Sequence, residues 1–202
     1  MNNKIIKYLL LASFIGTAGE QMITPLYSMF VSHVGGGILD AGIGFAIFSI
    51  ITGLVITATG KIKWFNENTN LIVFLGFLIS GIGDFSYFFV NNIISLFFVQ
   101  ALIGISVGLL NPSWEAMYTE NMEDGEEHEA WSMWGGGANI ATGAAALLGS
   151  GIAYYFGYKA MFLVAGVINL VAIYFAWRAY KTPKQKKAYD NPVIYINEDL
   201  GI

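Results

Sequence analysis

The sequence predicts an all-α integral membrane protein, a bundle of six transmembrane helices with both termini on the cytoplasmic side. Three observations carry this. Hydrophobic residues make up 55% of the 202-residue chain and charged residues only 12%, against roughly half and a quarter in a soluble domain, and the mean hydropathy is +0.58. The apolar residues gather into six segments, each near the ~20 residues that a helix needs to cross hydrocarbon, while the short alternating segments of a membrane β-barrel are not seen. Finally, nine of the ten Lys and Arg residues fall on one side of a six-span layout, the bias that orients membrane proteins.

The first span covers about 5–30 and is interrupted only by Glu20, Gln21 and Pro25. It is too long and too polar in its middle for a cleaved signal peptide and reads as a retained span. The second covers about 38–60 with Asp40 at its mouth, the third about 71–90 with Asp84, and the fourth about 93–118 through Pro112. Proline lacks an N–H and clashes with the preceding turn, so Pro112 is expected to kink or break that helix. The fifth, about 131–156, is rich in Gly and Ala, and the sixth, about 159–180, is charged only at its ends. Together these form one domain over 1–182, followed by a cytoplasmic tail at 183–202.

With the N-terminus inside, the inner segments hold Lys4, Lys7, Lys61, Lys63, Arg178, Lys181, Lys184, Lys186 and Lys187, and the outer ones only Lys159. This places the chain in the cytoplasmic membrane, with the lipid bilayer as its first partner. The inner loop after the fourth span carries Glu120, Glu123, Asp124, Glu126, Glu127 and Glu129. It reads as a solvated linker whose charge complements the start of the next helix, with a divalent-cation site or a gating contact as the other readings. Lys184, Lys186 and Lys187 suit anionic headgroups, and the apolar run Val193–Ile196 offers a docking segment.

Several function classes drop out. The chain has no Cys, so disulfide scaffolds, zinc fingers, iron–sulfur clusters and a cysteine nucleophile are excluded. The basic residues line no face suited to nucleic acid. His33 and His128 are the only histidines and are expected in loops on opposite sides, so no metal pair forms; Glu126-Glu127-His128-Glu129 lacks the second His of a zincin helix. Gly135-Gly136-Gly137 follows no strand and is no nucleotide fingerprint. An enzyme is not expected, and neither is a cofactor.

What remains lies inside the helices. Small residues let membrane helices approach closely, and Gly137, Ala141, Ala145, Gly149 and Ala153 recur at every fourth position of the fifth span, with Ser49, Gly53 and Thr57 on the second. These are assigned to helix packing or a dimer interface. Intramembrane ionisable groups are functional candidates by default: Glu20 with Gln21 at mid-span, Asp84 in the outer third of its helix, and Glu115 after Asn111 near an inner end. Glu20 is a candidate for reversible protonation. Gln100, Asn139 and Asn169 read chiefly as hydrogen-bond partners between helices, with Gln100 also on the candidate pathway.

Several patterns together resemble one half of a major facilitator superfamily transporter. They are Gly104 and Gly108, Pro112, Trp114 and Tyr118 around the fourth span, and Trp131, Gly149 and Gly151 in the fifth. Phe156-Gly157-Tyr158-Lys159 followed by Phe162 joins the fifth to the sixth, as in the family. Pro25, the loop Gly35-Gly36-Gly37, Ala41-Gly42 and Gly60-Lys61 are similar to the family's opening helices. Trp64 and Phe65 stand where the family places an acidic and a basic residue, and Gln100 where N-terminal halves place an Arg, so the chain is more similar to a C-terminal half. The resemblance implies a half-size secondary transporter of a small solute, working by alternating access as a parallel homodimer or beside a second half-transporter, with proton coupling. It also implies a midplane cavity lined by the first and fourth helices, with Glu20 and Asn111 facing it. The alternative is a non-transporting adaptor or subunit that pairs with another half-size membrane protein.

Overall fold

The structure, a computed structural model, describes residues 3–183, so the tail expected at 183–202 lies outside the described residues except for Pro183. Every regular element among the described residues is helical. α1 runs Lys4–Ile23, a 3-10 turn covers Thr24–Leu26, and α2 runs Tyr27–His33. Then come α3 (Ile38–Lys61), the short α4 (Lys63–Glu67), α5 (Thr69–Ser86) with a 3-10 extension at Tyr87–Phe89, α6 (Ile93–Glu120), α7 (Glu127–Phe156) and α8 (Tyr158–Lys181).

α3, α5 with its extension, α6 and α8 are each long and apolar enough to cross a membrane. α1 and α7 are long but more polar, because α1 carries Lys4, Lys7 and Glu20 and α7 opens on Glu127, His128 and Glu129. The protein is therefore a multi-pass helical membrane protein.

The two prolines behave differently. Pro25 interrupts the first span, as the sequence indicates, and the chain passes through a 3-10 turn before α2 resumes. Pro112, expected to kink or break its helix, does not break it, and α6 continues to Glu120. A membrane helix tolerates an interior proline when its neighbours take up the disturbance, and α6 has helices on both sides. Nor are the histidines in loops: His33 ends α2, and His128 lies in the first turn of α7.

The helices pack in the spatial order α3, α6, α5, α8, α1, α7. Small residues set each contact. A Cβ on Gly104 would lie 2.7 Å from the Phe48 carbonyl oxygen, and one on Gly108 2.6 Å from Val55, so α3 and α6 meet nearly backbone to backbone. The Thr52 hydroxyl donates to the carbonyls of Phe48 (2.8 Å) and Gly104 (3.2 Å) across that contact. Between α5 and α6, Ser106 donates to the Gly76 carbonyl at 2.8 Å. α8 presents Ala165, Ala172, Ala176 and Ala179, all fully buried, at gaps of seven, four and three residues that keep them on one stripe. The ends are tied as well. Asn3 caps α1 and donates to the Asn121 carbonyl (2.9 Å), while Tyr118 donates to that of Ala130 (2.7 Å).

This order leaves α3 and α7 at the two flanks. Almost none of the apolar span of α3 is buried, and α7 buries only Ala130, Ala145 and Gly149. The small-residue stripe of α7 packs against α1 within the same chain. Gly137 sits on the Phe14 ring, and a Cβ on Gly149 would lie 2.6 Å from the Met22 carbonyl oxygen. Gly149→Val must therefore push two backbones apart. Overpacking of this kind costs about 1–3 kcal/mol, which lowers the thermal midpoint of the purified protein by roughly 2–12 °C. Gly151→Val enters open space and should leave the midpoint near that of the native chain.

Candidate functional site

Apart from a wide cleft at the α2 and α7–α8 end, two half-open cavities in the bundle share one residue. The larger, about 270 Å³, is lined by Glu20, Thr24, Tyr27 and Ser28 on the α1–α2 segment. Phe45 and Phe48 of α3, Asp84 and Tyr87 at the end of α5, and Gln100 and Ile103 of α6 complete it. The smaller, about 160 Å³, is lined by Ser13, Thr17 and Glu20 of α1, Phe77 and Ser80 of α5, Asn111, Trp114 and Glu115 of α6, and Trp134 of α7. Chain direction puts the larger cavity toward the bundle end that carries the α2–α3 turn. The smaller one lies toward the end that carries Asn3 and Lys181. Glu20 stands between them and lines both. Its carboxylate accepts no hydrogen bond from the described residues.

Asp84 is held differently. It is 2% exposed, beside Asn169 of α8 at 1%, and the Asn169 side-chain amide donates to Asp84 Oδ2 at 2.7 Å. The same amide also donates to the Ala165 carbonyl at 3.2 Å. Gly19 of α1 makes room for this pair, because a Cβ there would overlap the Asn169 amide. The expectation that Asp84 sits in the outer third of its helix carries no exposure with it: α1, α5 and α8 enclose it. Gln100 donates to Tyr87 Oη at 3.0 Å, fixing the far wall of the larger cavity.

Each cavity also contains a buried donor with no partner: Tyr27 Oη in the larger and Trp114 Nε1 in the smaller. A buried polar group left unpaired costs free energy. The Tyr27 hydroxyl reaches its place because Gly44 of α3 has no side chain.

Of the pathway candidates, Glu20, Asp84 and Gln100 meet in the larger cavity, and Glu20, Asn111 and Glu115 in the smaller. Gln21 lines neither. Asn139 donates back to the Gly135 carbonyl of its own helix at 2.8 Å rather than bridging to another. Among the packing candidates, Ala145 and Gly149 are buried against the chain's own helices, and Gly137, Ala141 and Ala153 are half-buried. Ser49, Gly53 and Thr57 remain exposed on α3, and nothing lies within 4 Å of a Cβ placed on Gly53. Sequence reasoning pointed to Tyr27 among the cavity aromatics but missed Ser28, Phe45, Phe48 and Tyr87. For Tyr87 there was a signal, since it follows Asp84 by three residues and so shares its helical face.

A membrane helix bundle with two cavities meeting at a single carboxylate belongs to the class of helical membrane proteins that carry a polar site within their spans. Family comparison matches residues 9–197 to the Major Facilitator Superfamily, and the chain belongs to that family. Its fold is similar to the in meso crystal structure of the POT family transporter PepTSo, with a TM-score of 0.76 at 16% sequence identity. That likeness covers 93% of this chain and 40% of the other, so the chain spans about two fifths of that transporter's length. A search of curated proteins returns no significant match.

The Asp84–Asn169 bond is open to a direct test. Asn169→Leu leaves a buried carboxylate without its donor and should cost about 1–3 kcal/mol, seen as a lower thermal midpoint. Adding Asp84→Leu removes both polar partners and should recover part of the loss. A double variant less stable than the sum of the singles would contradict the pairing.

Proposed function

We propose that this chain is one six-helix half of a secondary-active transporter, and that a second copy in parallel orientation supplies the other half. The observation that carries the reading is the position of Glu20. One carboxylate bounds a cavity toward each end of the bundle, which is what alternating access to a single site requires.

On this reading α1 and α7 span the bilayer together with the four more apolar helices, giving six spans. The end bearing Lys4, Lys7, Lys61, Lys63, Arg178 and Lys181 faces the cytoplasm of a cell whose cytoplasmic membrane holds the protein. Every copy then inserts the same way up, so two copies meet as parallel halves. The partner packs on the sides left open in the monomer. One is the Ser49, Gly53 and Thr57 face of α3; the other is the outward face of α7 with Gly136, Gly143 and Leu147. The inward stripe of α7 is taken up by α1, so it serves packing within the half rather than contact between halves.

Glu20 is the proton-coupling residue of the proposal. The other titratable groups that face the two cavities are Tyr27, Asp84, Tyr87 and Glu115. Asp84 is engaged by Asn169, and Glu115 lines only the smaller cavity, which leaves Glu20 as the group shared by both access states.

Two outcomes follow from this reading. The chain has no native cysteine, so Gly53→Cys in one copy and Gly143→Cys in another should crosslink in membranes; monomers alone under mild oxidation would contradict the dimer. In proteoliposomes, Glu20→Gln should abolish solute flux driven by a proton gradient. Native-level, gradient-dependent flux in that variant would remove Glu20 from coupling, and no flux from the native chain would favour an adaptor role.

A further inference from the structure

We infer that the larger cavity selects a small monovalent organic cation: an amine or quaternary ammonium group on an apolar, preferably aromatic, body. This rests on the transporter reading above and adds the chemical class of the solute. The cavity walls hold two carboxylates, Glu20 and Asp84, and no Lys, Arg or His. The Glu20 carboxylate has no donor among the described residues, and Asp84 Oδ2 has only the Asn169 amide. Two ionised carboxylates in the wall of one largely apolar, half-open cleft repel each other. A monovalent cation beside them pairs with one of those charges and lessens the repulsion.

The rest of the wall fits the remainder of such a solute. Phe45, Phe48, Tyr27 and Tyr87 contribute aromatic rings, whose faces attract an ammonium group while their surfaces cover an apolar body. Ser28 adds a hydroxyl to the wall, so a polar substituent on the solute finds a donor there. The volume, about 270 Å³, suits a compact molecule with a single ring rather than a large one. An anionic solute would meet both carboxylates with no compensating cation, and a neutral one would leave them unmatched. Selection against both is therefore built into the wall.

The test is isothermal titration calorimetry on the full chain in lipid nanodiscs with three probes of similar shape: benzyltrimethylammonium, its neutral carbon isostere neopentylbenzene, and phenylacetate. Sodium chloride serves as a fourth arm. The expected result is saturable binding of benzyltrimethylammonium, at least tenfold weaker binding of the neutral isostere, and none of phenylacetate. Glu20→Gln should weaken the cation at least tenfold and narrow its advantage over the isostere. Should that variant fail to fold, the ranking of the probes on the native chain still decides. Tighter binding of the isostere or of phenylacetate, saturation by sodium alone, or no binding of any probe would overturn the assignment. The crosslink and the proton-driven flux judge the transporter reading separately, so either can fail without the other.

Discussion

The structure depends on how closely its helix backbones approach one another. In lipid there is no hydrophobic gain from pressing one apolar helix on another, so contact surface and hydrogen bonds must hold the bundle. Gly104 and Gly108 bring α6 onto α3, and Gly149 brings α7 onto the backbone of Met22. A column of alanines does the same for α8 against its neighbours. These contacts join six long helices into one bundle and leave an outer face open on α3 and on α7. The constraint that builds the bundle therefore also leaves the outer faces of α3 and α7 open.

Close approach also makes the polar interior possible. Asp84 and Asn169 can be buried because Gly19 leaves space for the amide, and the Tyr27 hydroxyl reaches the cavity wall because Gly44 does. Glu20 lies one residue beyond Gly19, on the same stretch of α1 that packs against α8. Its carboxylate is thus placed by rigid helix packing rather than by a loop, as a binding or coupling group needs to be. From that position it lines both cavities.

Much of this was legible in the sequence, and the rest was not for identifiable reasons. The expected spans at 38–60, 71–90, 93–118 and 159–180 agree with α3, α5, α6 and α8 because uninterrupted apolar length is the signal that both depend on. The small-residue period of α7 predicted a tight face but could not name its partner, since spacing within one helix carries no information about the helix opposite. Pro25 and Pro112 looked alike in sequence; one ends a helix and the other does not, because what surrounds a proline decides its effect. The short α4 lies in a polar stretch with no apolar period to reveal it. Glu20 was visible as a carboxylate in an apolar run. The Asp84–Asn169 bond was not, because its partners are 85 residues apart and meet only once α5 and α8 have packed.

The central claim is that two copies of this half together form the functional unit. Native mass spectrometry of the full chain released from nanodiscs tests it most directly. The account predicts a dominant species at twice the 22.1 kDa chain mass that persists at the lowest activation energy releasing the protein from lipid. A single-copy species under those conditions, with the chain folded and free of aggregation, would contradict it.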